Sequence, residues 1–383
     1  MKKIAVVLST EPRHGGGHQY AHLIMEALME NQCFQIVGLV TNTYWLKWCR
    51  KNNIVSYRIV LPAMFSDDYR EQLNNKEERG YNNLKYTKIG KILESEKIDL
   101  VFQTQQQYFP YYGLKSIFPV HDLMHIYEQR FPEVADGKEY RDKCLRLQAK
   151  YASCLLTDSQ LGVKQFRESF EEFIGEQLRI IPVPYVVPKH IMNDEQEIVL
   201  GIPSKFIFYP AQFWKHKNHI NLLKAIALVK TEIPDICLVL VGSEKNAKQE
   251  IVEYIQSQGL DDNVIIKGFV SDAQITYLYR HAIGMVMPSY FGPTNIPPLE
   301  AMALGCPVAV SSKYAMPEQV GNAGLLFNPD SPLEISECIY KIWKDVNLRE
   351  QMIKLGFEQI RKWTSDDFKN KILDIVNNNM EEY

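Results

Sequence analysis

Three consecutive glycines, Gly15, Gly16 and Gly17, follow the first apolar run of the sequence. Glycine lets the backbone come close to a ligand, and the start of the next helix offers unpaired N–H groups, so this turn is suited to hold a phosphate. Its spacing is neither G-x-G-x-x-G nor a P-loop ending in Lys-Ser/Thr. It therefore favours neither a nicotinamide dinucleotide site nor a P-loop nucleotide site. Simple flexibility of the turn is the alternative interpretation.

A basic stretch, Lys215-His216-Lys217, lies shortly after a predicted strand at residues 205–209. Side chains at the carboxyl end of a parallel strand border the crevice in which such sheets bind ligands. Lysines at this place can hold a diphosphate as point charges. A solvated basic turn is the alternative interpretation of the same residues.

A loop followed by a helix is predicted between Met287 and Val308. The preceding strand ends at Pro288, and Pro297-Pro298 opens the helix, where a missing N–H is tolerated. We expect Glu300 in the first turn of this helix, pointing back toward the loop. A carboxylate there can accept two hydrogen bonds from a vicinal diol such as a ribose, although glutamate near a helix start also simply complements the helix dipole.

Two series of apolar runs alternating with amphipathic segments must position these residues. They predict an α/β protein with two doubly wound domains of similar size, each a parallel sheet covered by helices, facing each other across a cleft. Strands are expected at residues 4–9, 34–41, 100–104, 116–120, 154–157 and 179–183, and then at 205–209, 236–241, 264–268, 284–288, 308–311 and 325–327. A proline-rich break at residues 182–188 marks the linker, which gives domains at 1–187 and 188–364. The polar, aperiodic residues 64–83 are interpreted as a loop or mobile lid.

The composition limits the class of protein. A chain of 383 residues suits two domains, and its net charge of −3 argues against nucleic acid as a partner. The seven cysteines form no C-x-x-C pair and indicate neither a zinc site nor a disulfide framework. No run approaches the ~18 apolar residues of a membrane span. We therefore expect a cytoplasmic protein, with peripheral contact with the inner face of the cytoplasmic membrane left open.

Residues 44–51 combine two tryptophans with three cations, as an interfacial helix would. This pattern is the basis for expecting contact with an anionic membrane. Packing of the tryptophans inside the first domain is the alternative.

The motifs together resemble the retaining glycosyltransferases of family 4, the glycosyl transferases group 1, which have the GT-B fold. Their donor-site signature is an E-x7-E stretch followed by Gly-x-Pro-Val. The residues that match in register are Phe291, Pro297, Pro298, Leu299, Glu300, Ala301, Met302, Ala303, Gly305, Pro307 and Val308. The likeness continues through residues 317–329 and, in the first domain, includes the glycine turn, His121-Asp122-Leu123 and Phe131-Pro132-Glu133.

The resemblance implies roles for particular residues. Glu300 binds the ribose hydroxyls, Lys217 the donor diphosphate, and Gly15–Gly17 lie against the phosphates. His121 faces the sugar at the reaction centre, although a histidine in such a place is by itself more typical of a structural, hydrogen-bonded residue. The expected catalytic residues are thus His121 and Lys217.

Two positions depart from the family pattern. The first glutamate of E-x7-E falls on Gly292, and the arginine expected five residues before Lys217 falls on Gln212. Thr294 and Asn295 are expected to supply replacement contacts. Further donor-binding residues are therefore expected at Gln212, Thr294, Asn295 and Ile296.

The activity implied by the resemblance is transfer of a hexose from a nucleoside-diphosphate sugar to a glycan or lipid-linked acceptor hydroxyl, with retention of configuration. It would serve the synthesis of bacterial surface polysaccharide such as lipopolysaccharide. The family needs no bound metal for chemistry, so neither metal nor other cofactor is expected. A non-catalytic nucleotide-sugar-binding subunit and a sugar-nucleotide 2-epimerase of the same fold are the alternatives.

The end of the chain is predicted to be a helix at residues 368–378, preceded by Ser365 as a cap. In proteins of this fold the last helix returns to the first domain, so we assign residues 365–383 to that domain. The apolar positions Phe368, Ile372, Ile375 and Val376 recur at helical spacing and are expected to be buried there.

Overall fold

The computed structural model describes residues 1–12, 16–31, 33–60, 88–106, 114–192, 200–292 and 294–381. The loop or lid predicted at residues 64–83, and Gly15 of the glycine turn, lie outside these residues. Within the described ranges, each helix is too short or too polar to cross a lipid bilayer.

A seven-stranded parallel sheet, in the order β3-β2-β1-β4-β5-β6-β7, forms the first unit of the described chain. Its inner strands are apolar runs that helices cover on both faces, and Ile4 to Leu8 of the first strand are almost completely buried. The strands are β1 Lys2–Leu8, β2 Phe34–Val40, β3 Val55–Arg58, β4 Leu100–Gln103, β5 Lys115–Val120, β6 Cys154–Thr157 and β7 Arg179–Pro182.

A six-stranded parallel sheet, in the order β10-β9-β8-β11-β12-β13, forms the second unit. Its strands are β8 Ile207–Pro210, β9 Leu238–Val241, β10 Val264–Ile266, β11 Gly284–Met287, β12 Val308–Ser311 and β13 Gly324–Phe327. The strand order reverses where β8 lies beside β11. The loops that follow these two strands therefore meet at the switch point of the sheet, which is the place where open parallel sheets bind ligands.

Helices connect the strands within each series. In chain order they are α1 Gly16–Met29, α2 Thr43–Lys51, α3 Lys88–Ser95, α4 Met124–Tyr127, α5 Pro132–Ala135, α6 Lys138–Tyr151, α7 Gln160–Phe170, α8 His219–Lys230, α9 Lys248–Ser257, α10 Asp272–His281, α11 Ile296–Ala303, α12 Met316–Val320, α13 Pro332–Lys344, α14 Val346–Ile360 and α15 Ser365–Glu381.

Contacts divide the chain into a first unit of Met1–Leu123, Gly137–Pro184 and Asp366–Tyr383, and a second unit of Met124–Asp136 and Tyr185–Ser365. The larger part of the second unit thus begins at Tyr185, three residues before the predicted boundary. The structure also corrects the prediction that residues 1–187 are one continuous piece, because Met124–Asp136 packs in the second unit. Local sequence does not reveal this, since the contacts that hold the segment are with residues far along the chain.

The last helix, α15, packs in the first unit. Phe368, Ile372 and Val376 are fully buried, and the Phe368 ring lies 6.0 Å from that of Tyr20. Lys369 forms an ion pair with Glu30, the residue that directly follows α1. Apolar contacts and ion pairing therefore both tie this helix to the first sheet and its helices.

Helix α2 carries the tryptophans that suggested an interfacial helix. Trp45 is fully buried, and its indole N–H donates to the carbonyl of Thr10 at 2.8 Å. Trp48 is half-buried against the Trp45 ring at 5.4 Å. The interfacial interpretation is therefore wrong for Trp45, because β1 and its loop supply a polar partner that keeps the indole inside.

Candidate active site

The loop between β8 and α8 presents Lys217. Residues Lys215–Lys217 form a short 3-10 turn that ends at Asn218, which has a φ of 60°. The Asn218 amide donates to the carbonyls of Pro288 at 3.0 Å and Pro329 at 2.8 Å. The Tyr209 hydroxyl donates to the Lys217 carbonyl at 2.8 Å. These bonds fix the backbone of Lys217 against the end of β11.

The Lys217 ammonium lies at the loop that follows β11. Its Nζ is 3.3 Å from Asn295 Oδ1 and 5.4 Å from the centroid of the Phe291 ring. The structure thus brings together Lys217 and Asn295, two of the predicted donor-binding residues. An ammonium group held at this loop can bind a phosphate oxygen without rearrangement of the backbone.

The loop after β11 turns sharply at Gly292. Its φ of 93° is accessible to glycine, and a Cβ at this position would lie 2.6 Å from the Thr294 carbonyl oxygen. The Asn295 amide donates to the Phe291 carbonyl at 3.0 Å and closes the turn. A glutamate at position 292 would therefore require a different loop, so the departure from the family motif is built into the backbone conformation.

Gln319 of α12 holds the far end of this loop, a role that the motif analysis missed. Its Oε1 accepts from the Asn295 N–H at 3.0 Å, and its Nε2 donates to the Asn295 carbonyl at 2.7 Å. Gln359 in turn donates to the Gln319 carbonyl at 3.0 Å. The one signal in the sequence was its position directly after the matched Pro317-Glu318.

Helix α11 begins at Ile296, after Asn295, and has proline in its first turn as predicted. Glu300 is consequently the fifth helical residue, and the expectation that it lies in the first turn is wrong, because the helix starts before the proline pair. At this depth the helix dipole acts weakly on a carboxylate. The simple dipole-complement interpretation of Glu300 therefore loses its support.

The Glu300 carboxyl is 8% exposed and accepts a hydrogen bond from the Tyr279 hydroxyl at 2.8 Å. Burial raises its pKa to about 7, although the bond from Tyr279 acts in the opposite direction. A buried carboxylate with one protein donor has acceptor capacity left for two ligand hydroxyls. This chemistry fits a vicinal diol.

Gln212, which replaces the expected arginine, lies in the loop after β8. Its Oε1 accepts from the Trp214 indole at 2.9 Å. Beside it, a Cβ on Gly242 would lie 2.1 Å from the Ala211 carbonyl oxygen, so the loop backbone passes directly over Gly242. The Gln212 side chain thus stabilises its own loop through Trp214.

His121 follows β5 in the first unit. Its backbone N–H donates to Gln106 at 2.9 Å, and its ring lies edge-on to the Tyr20 ring with centroids 5.0 Å apart. The residue as a whole is half-buried, but Nε2 is shielded from solvent. Burial lowers the pKa of His121 to about 4. The imidazole is therefore neutral at pH 7.

The described part of the glycine turn lies at the switch point of the first sheet, where β1 neighbours β4. Helix α1 begins at Gly16, and Gln105 donates to the Gly17 carbonyl at 3.1 Å. A Cβ on Gly17 would lie 3.2 Å from the Gln105 amide. Gly16 and Gly17 thus lie at the start of a helix, which is where helices bind phosphate groups.

Among the residues that the structure describes, no three His, Cys, Asp or Glu side chains are grouped so as to hold a metal ion. The predicted donor residues of the second unit, Lys217, Asn295 and Glu300, lie in or directly after the two loops at its switch point. Gly16, Gly17 and His121 belong to the first unit.

Known proteins resemble this chain in sequence and in fold. Residues 193–359 match the family described as Glycosyl transferases group 1. The O-antigen chain mannosyltransferase B of Escherichia coli is 28% identical over 274 residues, which cover 70% of this chain and 71% of that protein.

Solved structures extend the similarity to the whole fold. The UDP-glucose complex of Alr3699/HepE from Anabaena has a TM-score of 0.68 at 15% identity, and the match covers 99% of this chain and 100% of that one. WaaG, a glycosyltransferase involved in lipopolysaccharide biosynthesis, has a TM-score of 0.69 at 14% identity, and the match covers 97% of this chain and 99% of that one. Residues 193–359 are thus similar to the glycosyl transferases group 1 family, and the two parallel sheets together with the whole-chain matches to solved structures show the GT-B fold.

Proposed function

We propose that this protein transfers a hexose from a nucleoside-diphosphate sugar to a hydroxyl of a glycan or lipid-linked acceptor, with retention of anomeric configuration, in the synthesis of bacterial surface polysaccharide. The observation that carries the proposal is that a fixed cation, Lys217, lies in one loop of the switch point while a buried carboxyl, Glu300, lies in the helix that follows the other loop. The relatives named for O-antigen and lipopolysaccharide synthesis support the same class of product.

In the proposed reaction the bond between sugar C1 and the diphosphate oxygen breaks while the acceptor oxygen bonds to C1 on the same face. The acceptor proton passes to an oxygen of the departing diphosphate. Lys217 stabilises the negative charge that develops on this leaving group, which is an effect that acts mainly in the transition state. We expect this charge stabilisation to require no divalent metal.

Glu300 and His121 have binding roles in this proposal. Glu300 orients the nucleotide by accepting hydrogen bonds from both ribose hydroxyls, and its burial makes these bonds strong. His121 is neutral at pH 7. It would therefore offer the sugar a hydrogen bond and not a positive charge.

The departures from the family motif at Gly292 and Gln212 favour a second candidate function, that of a subunit that binds the nucleotide sugar without turning it over. The backbone at Gly292 excludes the carboxylate that normally grips the donor sugar. A 2-epimerase of the same fold is the third candidate. The three differ in what they do to the donor with and without an acceptor.

The decisive experiment begins with a thermal-shift screen of UDP, GDP and ADP and their hexose conjugates. A ligand at 100 times its dissociation constant stabilises the folded protein by about 2.7 kcal/mol. The donor identified is then incubated with and without lipid-linked acceptors, and the products are analysed by NMR. Retaining transfer predicts release of nucleoside diphosphate only with acceptor, and an unchanged anomeric configuration. An altered donor without acceptor indicates the epimerase, and binding without turnover indicates the non-catalytic subunit.

We further propose that the protein acts in the cytoplasm and contacts the inner face of the membrane through helix α2. Lys47, Arg50 and Lys51 of this helix are exposed, and Tyr44 is 36% exposed. Co-sedimentation with anionic liposomes at low salt tests this, because contacts between exposed charges weaken as salt increases. Charge reversal at Lys47 and Arg50 is expected to abolish pelleting, and a wild-type protein that never pellets contradicts the contact.

A further inference from the structure

The segment Met124–Asp136 packs in the second unit although the chain on either side of it belongs to the first. One part of it is anchored by Glu128, which is 5% exposed and accepts from the Tyr314 hydroxyl at 2.9 Å. Arg130 lies over the Tyr290 ring, 4.5 Å from its centroid. Glu128 and Arg130 thus hold this part of the segment to Tyr314, which precedes α12, and to Tyr290, which follows β11.

Glu133, at the other part of the segment, contacts that turn directly. Its Oε1 accepts from the backbone N–H of His216 at 3.2 Å and lies 3.0 Å from His216 Nδ1. Its Oε2 accepts from the Asn246 amide at 2.9 Å, and Asn246 Oδ1 accepts from the Lys215 N–H at 3.1 Å. Two successive backbone N–H groups of the turn are therefore bonded by Glu133 and by its partner Asn246.

A three-residue 3-10 turn depends on such bonds. It has few internal hydrogen bonds, and the N–H groups at its start have no partner within the helix. Trp214, the residue at its start, provides no side-chain cap. The carboxylate of Glu133 and the amide of Asn246 supply the missing acceptors.

The Glu133 carboxylate is suited to this task. Its side chain is 9% exposed. Burial by itself raises the pKa of Glu133, but hydrogen bonds from its own backbone, Asn246 and His216 outweigh burial and leave the pKa below its ordinary value. The group therefore stays ionised and accepts strong, charge-assisted hydrogen bonds.

His216 connects this contact to the loop that follows β11, residues 288–295, which is called the β11 loop below. Its ring lies 4.7 Å from the Phe291 ring, and its carbonyl accepts from the Tyr290 N–H at 2.9 Å. The next residue is Lys217, whose Nζ faces the same Phe291 ring. A displacement of His216 would consequently move the Lys217 ammonium and the β11 loop together.

We propose that Glu133 is a positioning residue that holds His216 and thereby places Lys217 for the donor diphosphate. The proposal rests on the proposed role of Lys217. It assigns a function to a residue of the Phe131-Pro132-Glu133 motif, which the donor site itself leaves without one.

The test measures binding of UDP and GDP by calorimetry, and donor and acceptor KM with kcat, for Glu133→Ala and Glu133→Gln. We expect Glu133→Ala to weaken diphosphate binding about tenfold and to raise the donor KM, while the acceptor KM is unchanged. Glu133→Gln keeps an oxygen acceptor for His216 and is expected to recover most of the affinity. Because a purely structural role would lower the unfolding temperature without separating the two KM values, unfolding is measured alongside.

Glu128→Ala is the matched control, since it removes a buried carboxylate of the same segment whose hydrogen bonds come from Tyr314 and Arg130 and not from the turn. It is expected to lower the unfolding temperature but to leave diphosphate binding within about twofold. Equal losses in Glu128→Ala and Glu133→Ala, or wild-type binding by Glu133→Ala, would overturn the proposal.

If Glu133→Ala does not fold, Asn246→Ala removes the second half of the same cap. It is expected to weaken diphosphate binding in the same direction, and unchanged binding would contradict the proposal. Lys217→Ala separates this proposal from the proposed function. Undiminished turnover by that variant refutes the role of Lys217 itself, whatever the Glu133 variants do.

Discussion

Replacing Glu300 by glutamine removes a buried carboxyl whose pKa burial raises to about 7 from an ordinary value of 4.5. The folded protein therefore holds this proton more tightly than the unfolded chain does. As the pH rises from about 4.5 to about 7, the free energy of unfolding decreases, and above pH 7 the protein bears the full free-energy cost of ionising the buried carboxyl. Glutamine keeps the shape and an acceptor for Tyr279 but does not ionise.

The size of this cost follows from the difference between the two pKa values. At 1.36 kcal/mol for each pKa unit, it amounts to about 3 kcal/mol. A domain of about 150–250 residues gains roughly 2–4 °C in unfolding temperature for each kcal/mol. The Glu300→Gln variant is thus expected to gain up to roughly 10 °C over the wild type between pH 4.5 and pH 8.

The assay is thermal unfolding of both proteins without ligand across this pH range. Glu337→Gln is the matched control, since it makes the same chemical change at an exposed position. It is expected to show no such pH-dependent gain. Parallel curves for wild type and Glu300→Gln would refute the reasoning, because they would mean that burial does not penalise the carboxylate.

The same variant should lose function. Hydrogen bonds to a charged acceptor contribute about 1.5–3 kcal/mol, so loss of the charge is expected to weaken nucleoside-diphosphate binding by at least tenfold. In the wild type, binding should strengthen as the pH rises through 7, whereas in Glu300→Gln it should be flat. A variant that is more stable yet less active is the expected sign of a carboxylate retained for its ligand.

Three further predictions concern Lys217, Gly292 and the last helix. Lys217→Ala should reduce turnover by at least a hundredfold with unchanged unfolding temperature, while Lys215→Ala, whose ammonium pairs with exposed Glu250 at 3.7 Å, should retain most activity. Gly292→Glu should raise the donor KM, because the left-handed backbone there disfavours any side chain; a gain of activity would contradict this. Truncation after Thr364 should destabilise the first unit and reduce turnover more steeply than nucleotide binding, measured by calorimetry, since α15 buries Phe368 there.

Much of the fold is visible in the sequence because buried parallel strands are continuous apolar runs. The predicted strands at residues 154–157 and 308–311 have the bounds that the structure shows, and the others agree within a few residues. β3, Val55–Arg58, was not predicted. It is an edge strand whose residues are half-buried or exposed, so it has no apolar run to signal it.

The β11 loop and the helix after it were visible in the sequence for a different reason. Pro297 and Pro298 restrict the backbone locally, so they mark the start of a helix without any knowledge of its neighbours. Through a motif, the sequence could likewise indicate Lys217 and Glu300 as candidate ligand-binding residues. It could not indicate that the helix begins one residue before the prolines, which places Glu300 beyond the first turn.

Tertiary structure alone decided the environment of these groups. The pKa of Glu300 depends on burial and on the hydroxyl of Tyr279, 21 positions away, and the turn that precedes Lys217 is bonded through His216 to Glu133, 83 positions away. Such effects arise from desolvation and from partners that meet only when the chain folds. The sequence by itself therefore identified the candidate groups, because that identification depends on residue type and local spacing. Their charge state and position were decided by packing between distant segments.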